Sequence, residues 1–257
     1  MKGCLLRDNA TSSACRIKKT GEIQRNFYFC AMIFHSDSAK EVALHLLKIN
    51  AIKLRPENPF TWASGLHSPI YCDNRLALSY PDIRTAIQEN LSRAIQKHFP
   101  GTQVIAGVAT AGIPQGVLVA QQLNLPFVYV RSAAKSHGMT NRIEGHMEKG
   151  QKAVVVEDLV STGKSSLAAV EALREAGADV LGMVSIFTYD LPVARENFKK
   201  AGCPLVSLSD YHHLTEVALA HGYIDQTMTG PLQEWRKDPQ KWSDAQSRKN
   251  SSTLPNK

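Results

Sequence analysis

From residue 38 onward the chain alternates between two hydrophobic patterns. Short unbroken apolar runs occur at Val104–Val108, Phe127–Val130, Ala153–Val156, Val180–Phe187 and Pro204–Leu208. They have the length and composition of strands buried on both faces. Between them, residues 114–123, Ser165–Ala176, 192–201 and 210–221 carry the spacing of amphipathic helices, and Gly177 and Gly222 close two of these. Two helices precede the first run. Ser38 with Glu41 three residues on reads as a capping box ahead of Val42, Leu44, Leu46, Leu47 and Ile49. Tyr80-Pro81-Asp82 opens the other with proline in its first turn, and it ends near Phe99-Pro100-Gly101. Continuous apolar strands alternating with helices predict an α/β fold, a central and mainly parallel sheet flanked by helices. Segment 59–75 breaks the pattern with Pro, Gly, Ser and aromatics and reads as a hairpin or hood. No internal repeat is visible.

The two ends differ from the body. Residues 1–31 have neither period, and residues 243–257 (SDAQSRKNSSTLPNK) are polar, so both are expected to be disordered. The apolar stretch 26–34 is short and no small-x-small site follows it, so it does not read as a secretory signal, and Met32 is a natural alternative start. At 257 residues the chain has ample length for a full core. No apolar run approaches ~18 residues, so no membrane-spanning helix is expected. Residues 1–31 hold six basic residues against two acidic ones, which leaves only a mild excess of the chain's +7 on the body. That balance suits an anionic small molecule and lacks the dense basic face of a nucleic-acid binder. Cys4, Cys15 and Cys30 lie near the start, only Cys72 and Cys203 lie beyond, and no CxxC occurs. The pattern predicts a reduced, cytoplasmic protein with no disulfide framework and no zinc site.

The chemistry concentrates in AVVVEDLVSTGKSSL, residues 153–167. A buried strand reaches Glu157 and Asp158, a Ser/Thr/Gly loop follows, and a helix begins at once. Ligands of open α/β sheets sit at the carboxyl ends of strands. The amide groups of such a loop and the positive end of the helix form a phosphate site, which Gly163 lets the backbone approach closely. Ser161, Thr162, Ser165 and Ser166 can add hydroxyl donors. Paired carboxylates would repel a phosphate, but they accept hydrogen bonds from vicinal hydroxyls, so the whole unit reads as a site for a ribose 5-phosphate. A nucleotide P-loop would need glycine at position 158, where this chain has Asp. A plain strand–helix turn, with acids placed for the helix dipole, is the remaining alternative on spacing alone.

VVVEDLVSTGKSS resembles the phosphoribosyl pyrophosphate motif of the type I phosphoribosyltransferases. NPFTWASGLHSPIYCDNR, VIAGVATAGIP, FVYVRSAAKSHGMTNRIEG and LGMVSIFTYD resemble successive blocks of the orotate phosphoribosyltransferase family, and LSDYHHLTEVA and LQEWRKDP resemble its bacterial branch. The likeness runs from Met32 to Trp242. It implies a type I phosphoribosyltransferase domain over 32–242 with a small N-terminal hood at about 32–75. The implied reaction converts orotate and phosphoribosyl pyrophosphate to orotidine 5′-monophosphate and pyrophosphate.

By the same resemblance Glu157 and Asp158 face the ribose hydroxyls, with Asp158 catalytic. The stretch Leu159, Val160, Ser161, Thr162, Gly163, Lys164 and Ser165 holds the 5-phosphate, and Ser161 also touches orotate. Lys164 departs from the small residue usual at its position. Segment 131–145 resembles the mobile catalytic loop, which gives Arg131, Lys135 and His137 to the pyrophosphate, Lys135 and His137 being catalytic, with Gly138 and Gly145 permitting motion. Thr110-Ala111-Gly112 matches the pyrophosphate loop, and Ser64–Tyr71 would cover orotate with Tyr71 against the base. The lysines that many relatives carry at Ala63 and Ala111, the basic residue at Ser132 and an arginine after Tyr189 are absent. Mg²⁺ is the implied cofactor, held by substrate phosphates and hydroxyls rather than by protein ligands. A homodimer sharing the catalytic loop is the implied assembly, with no nucleic-acid partner. His212-His213 is expected at the surface, Trp62, Trp235 and Trp242 are expected as packing anchors, and Cys72 and Cys203 as buried small residues.

Overall fold

The structure is a computed structural model that describes residues 32–62, 64–132 and 142–252. Expectations placed on residues 1–31, on Ala63, on Lys135, His137 and Gly138, and on 253–257 fall outside the described residues.

Seven strands form the main sheet: β1 (Met32–Ile33), β6 (Val104–Val108), β7 (Phe127–Val130), β8 (Ile143–Glu144), β9 (Lys152–Val160), β10 (Asp179–Thr188) and β11 (Leu205–Asp210). Their order is β1-β11-β10-β9-β6-β7-β8, and only β8 runs antiparallel to its neighbour. Val104–Val108 and Ala153–Glu157 are wholly buried, as the unbroken apolar runs predict for a sheet covered on both faces. The covering helices are α1 (Ser36–Lys48), α2 (Pro81–His98), α3 (Gly112–Leu123), α4 (Lys164–Glu175), α5 (Pro192–Lys200) and α6 (Tyr211–Ala220), followed by α7 (Gln226–Lys237) and α8 (Pro239–Ser252). Two small antiparallel pairs complete the fold. β2 (Ile52–Leu54) joins β5 (Ile70–Cys72), and β3 (Phe60–Thr61) joins β4 (His67–Ser68).

Four expectations need correction. Helix α1 starts two residues before Ser38, from His35 in extended conformation with no side-chain cap, so the Ser38–Glu41 capping box does not form. The hood is narrower than 32–75, because β1 pairs in parallel with β11 at the edge of the main sheet and α1 packs on α6 and β11. Only the segment from β2 through β5 stands apart from the sheet. The polar stretch from 243 is not disordered through 252 but continues α8. The Asp238 carboxylate accepts the Lys241 N–H, Trp242 is buried, and the buried Ser243 hydroxyl accepts the His67 N–H from β4 at 2.9 Å. Finally, β9 does not stop at Val156. Leu159 and Val160 still pair with Phe187 and Thr188 of β10.

The hood is fastened by aromatic contacts. Trp62 stacks on Tyr189 at 5.7 Å and meets the edge of Trp235 at 5.9 Å, while its indole N–H donates to the Ile70 carbonyl. Trp62, Trp235 and Trp242 are thus the packing anchors the sequence suggested. Cys203 is buried and its thiol is pushed up to about 12 by that burial. Cys72 is only partly buried.

Candidate active site

Chain order places the site. β6 and β7 lie on one side, and the chain then crosses to β9, β10 and β11 on the other. The β6–β9 seam is therefore the topological switch point, where connections leave in opposite directions and open a crevice at the carboxyl ends. The pairing of β6 with β9 ends at Gly107–Val156, while β9 runs on through Val160 beside β10 alone. Residues 157–160 consequently present one strand edge to the crevice.

Two helix N-termini flank it. Helix α3 begins after the Ala109–Thr110–Ala111 turn, and α4 begins at Lys164 after Gly163. Neither has a side-chain cap; the first-turn N–H groups of α4 are left for water or a ligand, whereas in α3 the Ile113 N–H already donates to the Thr110 carbonyl and Pro114 carries no N–H. Gly112 allows α3 to start directly over the seam, since a Cβ there would lie 2.5 Å from the Val156 carbonyl oxygen. Gly163 has φ +78°, the left-handed region, and a Cβ on it would lie 2.6 Å from the Phe198 ring. Helix α5 supports the same turn through Asn197, whose amide donates to the Thr162 carbonyl at 2.9 Å.

The acid pair stands at the centre. Glu157 is buried and accepts the Ser166 hydroxyl at 2.8 Å and the Asp158 N–H at 3.0 Å. Burial, reinforced by the neighbouring Asp158 carboxylate, pushes the Glu157 carboxyl up to about 8. The like charge of the Asp158 carboxylate beside it adds to burial in favouring the neutral form of Glu157. Burial also raises the Asp158 carboxyl above its ordinary range, although Asp158 is less buried than Glu157. From the short helical turn after β5 the Asn74 amide donates to the Asp158 carbonyl at 2.8 Å, and Asn74 accepts the Cys72 thiol. Burial together with the Asp158 and Asp73 carboxylates holds that thiol well above its ordinary range.

The structure brings most of the sequence-derived site together, with differences. Glu157, Asp158, Ser161, Thr162, Gly163, Lys164 and Ser165 lie along one strand end, one turn and one helix start. Leu159 and Val160 belong to the strand rather than the loop, and Val160 is fully buried in the core. Ser166, a candidate phosphate donor by its place in the serine run, is instead committed to Glu157. Lys164 and Ser165 are exposed in the first turn of α4. Arg131 directly follows β7, and its guanidinium lies 3.5 Å from Glu144. The Arg131 N–H donates to the Arg142 carbonyl, which pins both ends of the segment containing Lys135 and His137. Tyr71 is exposed on the hood and tilted against Phe60 at 5.6 Å.

His212 is exposed beside Glu216, as expected, but His213 is turned inward, with Nδ1 2.8 Å from Asp210 and Nε2 3.3 Å from Ser36. Among the described residues no group of three or more His, Cys, Asp or Glu could hold a metal ion. Sequence reasoning missed Asn74 and Asn197, whose amides fix the carbonyls of Asp158 and Thr162 from elements far away in the chain. No local pattern marks such partners.

A family model described as phosphoribosyl transferase domain matches residues 78–207. The orotate phosphoribosyltransferase of Cytophaga hutchinsonii is 58% identical over 203 residues, 79% of this chain and 97% of that protein. That of Bacillus cereus (strain ATCC 10987 / NRS 248) is 59% identical over 200 residues, 78% of this chain and 95% of that protein. Among solved structures, orotate phosphoribosyltransferase from Aeropyrum pernix superposes with a TM-score of 0.62 at 29% identity, covering 72% of this chain and 99% of that one.

Proposed function

The chain belongs to the phosphoribosyl transferase family, and we infer that it is an orotate phosphoribosyltransferase. It transfers the 5-phosphoribosyl group from phosphoribosyl pyrophosphate to orotate in pyrimidine biosynthesis, releasing pyrophosphate. The observation that carries this reading is the conjunction at the switch point of two adjacent carboxyl groups with an uncapped helix N-terminus reached through Gly163.

The 5-phosphate seats on the turn 161–163 and the first amides of α4, where the helix dipole favours an anion. Asp158, the less buried of the two acids, accepts from a ribose hydroxyl. Glu157, neutral and tied to Ser166, holds Asp158 in place without adding a second negative charge near the sugar. As the bond to pyrophosphate breaks, negative charge grows on the leaving group. Arg131, Lys135 and His137 are assigned to meet it, with most of their effect in the transition state. The amides of Thr110–Gly112 complete the pyrophosphate side. Closure of segment 131–145 would exclude the water that otherwise attacks the oxocarbenium-like sugar. Ser161 and the hood, with Tyr71 against the ring, are assigned to orotate.

Mg²⁺ fits this site as an ion carried on the substrate, since the Asp158 carboxylate supplies a hard oxygen donor beside the place assigned to the ribose hydroxyls. When bound, it neutralises the diphosphate and draws off charge from the leaving group. Among the described residues no helix is long and apolar enough to cross a membrane, and we place the enzyme in the cytoplasm as a homodimer that shares its catalytic loop. The direct test is pyrophosphate release from phosphoribosyl pyrophosphate with Mg²⁺ and one of orotate, uracil, adenine or hypoxanthine. Turnover with orotate alone is expected, and turnover of another base without orotate contradicts the assignment.

A further inference from the structure

The two halves of the site meet at a buried carboxylate that lies outside it. Asp190 follows Tyr189 at the end of β10, with φ +50° and 8% exposure. Two arginines from different helices converge on it. Arg195 of α5 places Nε 2.7 Å from Oδ1 and Nη2 on Oδ2. Arg236 of α7 places Nη2 2.6 Å from Oδ2 and 3.3 Å from the Asp190 carbonyl.

Each arm leads to a different part of the site. Helix α5 also carries Asn197 and Phe198, which hold the Thr162–Gly163 turn. Helix α7 carries Trp235 next to Arg236, and Trp235 contacts Trp62, whose indole is bonded to the hood at Ile70. Trp235 and Trp62 both also pack on Tyr189, the residue before Asp190.

We propose that Asp190, Arg195 and Arg236 are positioning residues that set the two substrate subsites separately, the Arg195 arm fixing the phosphate turn and the Arg236 arm fixing the hood. The proposal rests on the assignment above of the turn to the ribosyl donor and the hood to orotate. The charge arrangement makes the arms separable. Removing Asp190 leaves two guanidinium groups without their shared partner, whereas removing one arginine leaves a balanced pair. A bidentate guanidinium fixes direction as well as distance, which a point charge does not.

The test is steady-state kinetics on the full chain, varying each substrate in turn, with thermal unfolding of every variant. Arg195→Gln is expected to raise KM for phosphoribosyl pyrophosphate about 5- to 10-fold while KM for orotate stays within about 2-fold; Arg236→Gln is expected to do the reverse. Arg195→Lys and Arg236→Lys, which retain the charge, should show the same split in smaller degree, and they carry the test if a Gln variant is too unstable to assay. A loss of stability alone would lower the apparent kcat and leave both KM values unchanged. Variants that shift both constants equally, or neither, overturn the proposal while leaving the function intact. A wild-type chain that does not turn over orotate overturns the functional assignment, and this proposal with it.

Discussion

Glu157 shows how one side chain ties stability to the site. Its carboxyl is buried beside another carboxyl, so the folded chain keeps its proton up to about 8, while the unfolded chain releases it near the ordinary 4.5. Between those values the unfolded state binds fewer protons than the folded one, so this contribution to stability is complete below pH 4.5 and is lost as pH rises toward 8. Glu157→Gln, isosteric with the neutral acid, should remove that slope. Urea unfolding at acid and at mildly alkaline pH is expected to show wild type losing ground to the variant, by up to ~1.4 kcal/mol for each pH unit across the window. Parallel pH profiles would contradict the proton assignment. Asp158, the less buried partner, is the residue assigned to the sugar.

At the scale of elements, the turn between β9 and α4 is shaped from behind by α5. Gly163 stands at φ +78° with the Phe198 ring where a Cβ would go. Gly163→Ala should cost ~1–3 kcal/mol in urea unfolding and lower kcat/KM for the ribosyl donor by ~10- to 100-fold, because a displacement of the order of 1 Å at a phosphate cradle is expensive. An unchanged kcat/KM would mean the turn does not hold the donor.

The same elements separate what the chain reveals locally from what it does not. Strands β6, β7, β10 and β11 and the helices between them are legible because a sheet buried on both faces writes itself as unbroken apolar runs. The extension of β9 through Val160 is not, since Glu157 and Asp158 interrupt the apolar signal although backbone pairing with β10 continues. Helix α8 carries few apolar residues, and its order depends on Trp242 and on Ser243 meeting β4 across the fold. The acid pair and the Ser/Thr/Gly turn after it are readable as a motif. Their supports, Asn74, Asn197 and the Asp190 pairings, are contacts between distant segments, which spacing cannot encode.

Over the whole molecule, the function follows from where the sheet changes direction. The crossover from β7 to β9 opens the β6–β9 seam, two uncapped helix starts face it, and the hood is held over it through Trp62, Tyr189 and Trp235. A mildly basic body is consistent with anionic substrates, and the local field comes from backbone amides and a few cations rather than from net charge. The claim on which the rest depends is that this crevice grips a phosphorylated pentose through Asp158 and the 161–163 turn. Calorimetric titration of phosphoribosyl pyrophosphate with Mg²⁺ into wild type and Asp158→Asn measures it directly. Saturable binding to wild type with one site per chain, weakened at least ~10-fold in a variant that remains folded, is the predicted result; equal binding by the two proteins, or no binding heat from wild type, would contradict it.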